Sequence, residues 1–374
     1  MKKALYAAST AGHLRSFHLP WLHWLSEAGW TVHGAAAGPF SCPDLAAYYD
    51  LPFTKSLVSP KNLAVSWRLR GLLRQERYDL VLVHTSLAAF FVRLGVVLAG
   101  KERPRVVNVV HGYLFDEATP WAKRTLLLGA ERLMKPVTDA VAVMNRQDLE
   151  LAQSHHLSRG PVVLLPGMGV DFSRYAPAGV QDRLAARAAF GLPAQAFVLV
   201  YAAEFSRRKN QAFLVRALKK LPENVWLLLP GQGGLLDQVR KLAKALGLEN
   251  RVLLPGFVTN MPACYHAGDL CVSSSRSEGL PFNLMEAMAC GLPAVASRVK
   301  GHEDLIRPEQ TGLIFDYDDE AAFCRAVTAL MEDPSKIDRM GREARETVLS
   351  RYGLEQAAAV YTRLIESESG EAEA

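Results

Sequence analysis

Two glutamates, Glu278 and Glu286, stand eight residues apart on either side of the turn Gly279-Leu280-Pro281. Proline is favoured at a first helical position, where a missing N–H costs nothing, so a helix is expected to begin near Pro281. Phe282 to Ala289 is good helical sequence, and Gly291 with Pro293 stops it. The first turn of such a helix offers backbone N–H groups, here those of Phe282, Asn283 and Leu284, at the positive end of a helix dipole. That suits an anion such as a diphosphate. Glu278 lies just before this point and Glu286 about one and a half turns inside the helix. Carboxylates accept hydrogen bonds from vicinal hydroxyls. The arrangement therefore suits a ligand with a diphosphate in its middle and hydroxyl groups at both ends, as in a nucleotide sugar. Taken alone, two glutamates would equally suit a solvated helix face.

Three consecutive cations, Arg207, Arg208 and Lys209, follow a strand-like run and open a helix. Arginine can clamp a phosphate with its planar fork and lysine as a point charge. A solvated basic turn is the plainer reading. Ser9-Thr10-Ala11-Gly12-His13 follows the first strand, and a small glycine loop lets backbone approach a phosphate or sugar, although one glycine is a weak signal. His111 ends an apolar run and precedes Gly112. At the C-terminal end of a sheet strand it would face a binding crevice, against the commoner structural histidine. Gly231-Gln232-Gly233-Gly234 reads as a structural turn. Asp316-Tyr317-Asp318 has the form of a metal-binding Asp-x-Asp, but these acids sit where they would favour a helix start near Asp319. No other cluster has metal-ligand spacing. No G-x-G-x-x-G follows the first strand, which argues against a dinucleotide dehydrogenase.

Glu278, Gly279, Pro281, Glu286, Ala287, Ala289, Gly291 and Pro293 complete the pattern E-G-x-P-x-x-x-x-E-A-x-A-x-G-x-P. The stretch closely resembles the donor-site signature of the retaining GT-B glycosyltransferases of family 4. The resemblance covers nearly the whole chain and is most specific between residues 200 and 300. With Ser16 to Leu22, Asn62, His111 and the turn Arg207 to Gln211, the chain is most similar to the branch that builds capsular and exopolysaccharide repeat units on undecaprenyl diphosphate. This implies an α/β fold of the GT-B type, two doubly wound Rossmann-like domains facing a central cleft. It implies transfer of a sugar, with retention, from a nucleoside-diphosphate sugar to a lipid-linked saccharide, with a UDP-linked donor favoured. The family places an arginine, then four residues, then a lysine on the diphosphate. Lys209 matches the lysine; Glu204 stands at the arginine position, which leaves Arg207 or Arg208 to supply the second cation. The resemblance also puts Glu278 on donor-sugar hydroxyls, Glu286 on the ribose and His111 on the donor sugar. It puts Gly12 near the donor, in a loop that lacks the family's Gly-Gly form. The catalytic set is then Glu278, His111, Lys209 and Arg208, and the donor-binding set Gly12, Arg207, Gly279, Phe282, Asn283, Leu284 and Glu286. No cofactor and no metal is expected, the nucleotide sugar being a co-substrate. An epimerase or hydrolase on the same fold, or a non-catalytic membrane-docked binding subunit, are the rivals; the intact glutamate pair argues against both.

These residues need frameworks to hold them. A chain of 374 residues, 49% hydrophobic and 22% charged, is long enough for two globular domains. Strand-like runs at Ala4–Ala8, Thr31–Ala36, Leu80–His84, Val106–His111, Ala140–Met144 and Val162–Leu165 alternate with helical stretches such as Leu63–Glu76, Leu87–Ala99 and Trp121–Met134. That alternation predicts a parallel sheet covered by helices on both faces. The pattern breaks near Pro166 to Asp171 and restarts with runs at Val198–Ala202, Val225–Leu229, Val252–Leu254, Leu270–Ser273, Ala294–Ser297 and Leu313–Phe315. The expected organisation is residues 1–168, residues 169–350, and a segment 351–374. From the resemblance, that last segment carries a helix returning to the first domain, followed by an acidic, frayed tail.

Residues 1–170 hold 19 Lys and Arg against 12 Asp and Glu; the remainder holds 24 against 26. A basic first half suits an anionic membrane or a diphosphate lipid, which we favour over nucleic acid, or simply solubility. Phe17, Leu19, Trp21, Leu22, Trp24 and Leu25 fall on an early helix that reads as core, with a membrane-interface surface as the alternative. Five cysteines without a C-x-x-C pair argue for reduced thiols and against zinc. No apolar run reaches 18 residues and the start lacks a signal-peptide layout, so a cytoplasmic protein at the inner face of the membrane is expected.

Overall fold

The computed structural model describes residues 2–54, 56, 59–100, 103–116 and 119–366. The expected acidic tail lies outside the described residues from 367 onward. The chain divides into two compact units, one reaching Met168 and taking in the chain from Ala357 onward, the other spanning Gly169–Gln356. The last helix, Leu354–Glu366, thus begins in the second unit and continues in the first, a few residues later than the sequence placed the boundary.

The first unit is built on seven strands: β1 (Lys3–Thr10), β2 (Thr31–Ala37), β3 (Ala47–Asp50), β4 (Leu80–His84), β5 (Arg105–Val110), β6 (Ala140–Val143) and β7 (Val162–Leu164). They lie in the order β3-β2-β1-β4-β5-β6-β7. The pairs are parallel, for example Leu5 opposite Val81 and Val83 opposite Asn108. Strands such as Leu80–His84 are buried along their whole length, as a parallel sheet with helices on both faces requires. The short edge strand β3, Ala-Tyr-Tyr-Asp, has no apolar run and left no signal in the sequence. The helices Pro60–Glu76, Ser86–Ala99 and Trp121–Met134 pack side by side as one layer. Inside that layer Arg93 is fully buried and pairs with Glu131 at 2.8 and 3.0 Å, with Thr138 at 3.2 Å. Its exposed positions include Leu63, Trp67, Val97, Trp121, Leu126 and Leu133.

The early tryptophans are elsewhere. His18 and Pro20 break the expected single helix into Ala11–Phe17 and Leu19–Glu27. Trp21, Leu22 and Leu25 are core; the Trp21 indole N–H donates to the Met168 carbonyl at 2.9 Å, and its ring packs 4.5 Å from Tyr361. This corrects the interface alternative for Trp21: a buried, hydrogen-bonded indole has no free face to offer a membrane.

The second unit has six strands, β8 (Phe197–Val200), β9 (Val225–Leu228), β10 (Val252–Leu253), β11 (Leu270–Ser273), β12 (Ala294–Ser297) and β13 (Gly312–Phe315), in the order β10-β9-β8-β11-β12-β13, again parallel. Its core includes Phe213, Phe315 and Phe323, whose rings lie 5.2 to 5.6 Å apart. Both units place strand 1 beside strand 4 and reverse the chain's direction of travel there. In such sheets the loops at the C-terminal strand ends form the binding crevice.

Candidate functional site

In the second unit the loop after β11 carries Glu278, and the loop after β8 carries Arg208 and Lys209. The two loops are stapled together. The backbone N–H of Arg276 donates to the Arg208 carbonyl at 2.8 Å, and Ser274 Oγ donates to the Lys209 and Asn210 carbonyls at 3.2 and 2.9 Å. The staple brings Lys209 Nζ to 2.6 Å from Glu278 Oε1 and Arg208 Nη1 to 2.8 Å from Glu278 Oε2. Ser275 Oγ adds a third donor at 2.5 Å, and its own hydroxyl lies 2.7 Å from that of Tyr201. Burial alone would push the Glu278 carboxyl up; the adjoining Lys209 and Arg208 cations outweigh it and hold it at about 2. Glu278 is therefore an anion bound by the two cations expected to hold a diphosphate.

Arg207 goes a different way. It lines a cavity of about 470 Å³ with Arg216, Arg276 and Gln238, whose lining does not include Glu278. The second cation beside Lys209 is thus Arg208. Glu204 is exposed, and its backbone carbonyl accepts from Gln211 Nε2 at 2.9 Å.

The helix after the loop spans Phe282–Ala289. Pro281 caps it with extended backbone and is not its first residue, a one-residue correction to the expected start. Leu284 is buried, whereas Phe282 and Asn283 are part-exposed. Asn283 Nδ2 is buried without a hydrogen-bond partner among the described residues. Glu286 sits within this helix, and both its oxygens accept phenol hydrogens, from Tyr175 at 2.9 Å and from Tyr265 at 2.7 Å. Burial pushes its carboxyl up, partly offset by those two hydroxyls. Each oxygen keeps a lone pair for a further donor. Gly279 packs under the next loop, where a Cβ on Gly301 would fall 2.5 Å from the Gly279 carbonyl oxygen. Gly301 also has φ +79°, a backbone conformation that suits glycine.

Three contributors had no signal in the sequence. Tyr175 and Tyr265 come from distant segments and meet only at Glu286. His302 is buried near Glu278; its Nδ1–H donates to the Ser297 carbonyl at 2.7 Å, and its Nε2 has no partner among the described residues. Burial holds the His302 ring down at about 4 in spite of Glu278. Gly231 and Gly233 are explained by packing, since a Cβ at either would lie within 2.5 Å of the Ala203 or Phe205 carbonyl. Asp316 pairs with Arg298 at 2.7 Å and Asp319 caps Glu320–Met331.

In the first unit the expected loop at Gly12 is absent. Strand β1 runs straight into the helix Ala11–Phe17, with Thr10 as the cap accepting from the His13 N–H at 3.2 Å. Gly12 is an exposed position in the first helical turn. His111 does sit at the end of β5, but it belongs to a group. His84 Nδ1 lies 3.2 Å from His111 Nε2, and His13 and His18 stack around them at centroid distances of 4.4 to 5.4 Å. Tyr6 stacks on His84 at 4.5 Å and its hydroxyl lies 2.7 Å from His18 Nδ1. Burial pushes all four rings down, His13 to about 4, so they are neutral at pH 7. His13, His18 and His111 also offer ligand atoms within 4.8 Å of one another, a cluster that their spacing in the sequence did not show.

Comparison with known proteins matches two stretches of the chain. A model described as "Glycosyl transferases group 1" matches residues 182–347, and one described as "Glycosyl transferase 4-like domain" matches residues 17–167. The chain is 30% identical over 377 residues to a Bacillus subtilis protein named putative glycosyltransferase EpsD, covering 99% of each. It is 25% identical over 324 residues to the Escherichia coli UDP-Gal:alpha-D-GlcNAc-diphosphoundecaprenol alpha-1,3-galactosyltransferase, covering 84% of this chain and 79% of that one. In fold it is similar to sucrose-phosphate synthase from Thermosynechococcus elongatus, with a TM-score of 0.81 at 23% identity over 97% of this chain and 98% of that one. It is likewise similar to Anabaena HepE in complex with UDP-glucose, with a TM-score of 0.80 at 19% identity over 98% and 100%.

Proposed function

The chain belongs to the group 1 glycosyl transferases and has a GT-B fold, and from that premise we propose that it moves a sugar, with retention, from a UDP-sugar to a saccharide carried on a lipid diphosphate. The observation that carries this reading is the Glu278–Lys209–Arg208 cluster beside the start of the helix Phe282–Ala289. An incoming diphosphate gives Arg208, Lys209 and the first-turn N–H groups a second anion to share. As the bond to the leaving group breaks, these donors stabilise the charge that develops on it. Glu278, once it shares its cations, accepts from donor-sugar hydroxyls, and Glu286 accepts from the ribose. The leaving phosphate takes the acceptor's proton. The E. coli relative's name specifies a UDP-sugar and a diphosphoundecaprenol acceptor, which supports the pairing proposed here.

The acceptor class implies a membrane. No described helix is long and apolar enough to cross one. The outer side of the layer Pro60–Glu76, Ser86–Ala99 and Trp121–Met134 is the surface that suits peripheral contact. Trp67 and Trp121 are 58% and 81% exposed, and the same helices carry Lys61, Arg68, Arg70, Lys123 and Arg124. Tryptophan favours the membrane interface and the cations favour anionic headgroups. Trp67→Glu with Trp121→Glu is expected to abolish sedimentation with phosphatidylglycerol vesicles; unchanged sedimentation would refute this face.

The transfer reading is tested by titrating UDP, GDP and ADP calorimetrically, then assaying the matching sugar donors with a polyprenyl-diphosphate saccharide. Expected are selective UDP binding and an α-linked product. UDP release with free sugar would favour the hydrolase, and binding without turnover the binding subunit.

A further inference from the structure

We propose that His13, His18 and His111 form a binding site for one divalent transition-metal ion of the zinc and cobalt class, a site that stands whether or not the donor and acceptor above are right. Their ligand atoms lie within 4.8 Å of one another. A small inward movement of the three rings would bring them to the separations of a tetrahedral site, whose metal–nitrogen bonds are about 2.0–2.1 Å.

Two features set this group apart from ordinary packed histidines. The Nε2 atoms of both His13 and His18 are buried, and neither has a hydrogen-bond partner among the described residues. A buried polar nitrogen normally has one, and a cluster that leaves two open is short of a ligand. The remaining ring nitrogens are hydrogen-bonded in the way that orients the rings of metal-binding histidines. His18 Nδ1 is 2.7 Å from the Tyr6 hydroxyl; when Nδ1–H donates there, Nε2 carries the lone pair. His111 Nε2 is 3.2 Å from His84 Nδ1; when Nε2–H donates there, Nδ1 carries it. His84 then turns its Nε2–H to the Tyr361 hydroxyl at 3.2 Å. Burial keeps the rings neutral, the form in which imidazole binds a metal. Imidazole nitrogens select zinc, cobalt, nickel or copper over magnesium and calcium. Three histidines leave a fourth position open for water or a ligand oxygen.

The test uses the full-length protein stripped with a chelator and titrated with Co²⁺. Expected is one tightly held ion per chain, with the visible d–d bands of a tetrahedral nitrogen site, displaced by one equivalent of Zn²⁺. His18→Ala should abolish the bands. His13→Gln, at a partly exposed helical position where a similar-sized polar side chain should not disturb folding, should weaken Co²⁺ affinity at least 100-fold. His23→Ala and Cys42→Ser, at ligands outside the cluster, should leave the titration unchanged. The absence of the bands in the parent protein, or an unchanged Co²⁺ affinity in His13→Gln, would overturn the site and leave a buried water as the occupant of the two open nitrogens.

Discussion

The two units use one strand order but satisfy their sites in opposite ways. In the first, the ends of β1, β4 and β5 bring together His13 and His18, His84, and His111; in the second, the ends of the matching strands β8, β11 and β12 bring together Arg208 and Lys209, Ser275 and Glu278, and His302. The second unit's group is charged and balanced around Glu278: each carboxylate oxygen has a cation and Ser275 adds a donor, with only His302 Nε2 of the group left open among the described residues. The first unit's group is uncharged and open, with two buried nitrogens unpaired. Topology fixes where a site lies, and the side chains delivered there decide whether it waits with its charges balanced internally or with valences unfilled.

The sharpest way to break this comparison is to remove one charge from the closed group. Lys209→Ala leaves Glu278 buried beside Arg208 alone, and should cost about 3–5 kcal/mol of stability, as breaking buried pairs does. It should also lower transfer by about 10²–10³-fold, the loss expected when one donor to the developing charge goes. The double variant Lys209→Met with Glu278→Leu should recover most of the melting temperature while UDP binding stays lost. If the double variant is no more stable than Lys209→Ala, the pair is not what the fold depends on.

Acid should separate the units next. The histidine rings bind fewer protons folded than unfolded. Their contribution is therefore complete above the ordinary value of 6.5 and declines as pH falls toward 4. Glu278 is depressed, so its contribution persists down to the ordinary 4.5 and is lost only toward 2. Pulsed hydrogen exchange after incubation at pH 5 should show faster exchange in β4 and β5 than in β8 and β11, with His302 adding a smaller loss to the second unit. Equal protection in both would contradict the charge argument.

Smaller effects sharpen the contrast. Gly301→Ala forces a Cβ against the Gly279 carbonyl at positive φ and should destabilise by about 1–3 kcal/mol, measured by denaturant unfolding. His84→Phe keeps a ring on Tyr6 and removes neutral hydrogen bonds, for a cost of about 1 kcal/mol. Gly12→Ala should change stability by less than about 0.5 kcal/mol, because its Cβ would meet nothing nearer than Thr10 Oγ at 4.0 Å.

By itself the sequence determined the two parallel-sheet units, twelve of whose thirteen described strands announce themselves as short apolar runs bounded by turns, and the Glu278–Glu286 helix with its Gly-Pro punctuation. Those are local signals: period, propensity and stop residues all act within a few positions. The short edge strand Ala47–Asp50 escaped because it has no such run. Tertiary structure alone decided which arginine pairs with Glu278, because Arg207 and Arg208 are neighbours on one turn and only the fold brings the Arg208 guanidinium to the carboxylate while Arg207 lines a cavity. It also decided that Trp21 is core while Trp67 and Trp121 are exposed, since identical side chains differ only in what the rest of the chain lays over them. The histidine cluster is the clearest case. Its four rings come from three separate strand ends, and no spacing along the chain records the parallel crossovers that set those ends side by side.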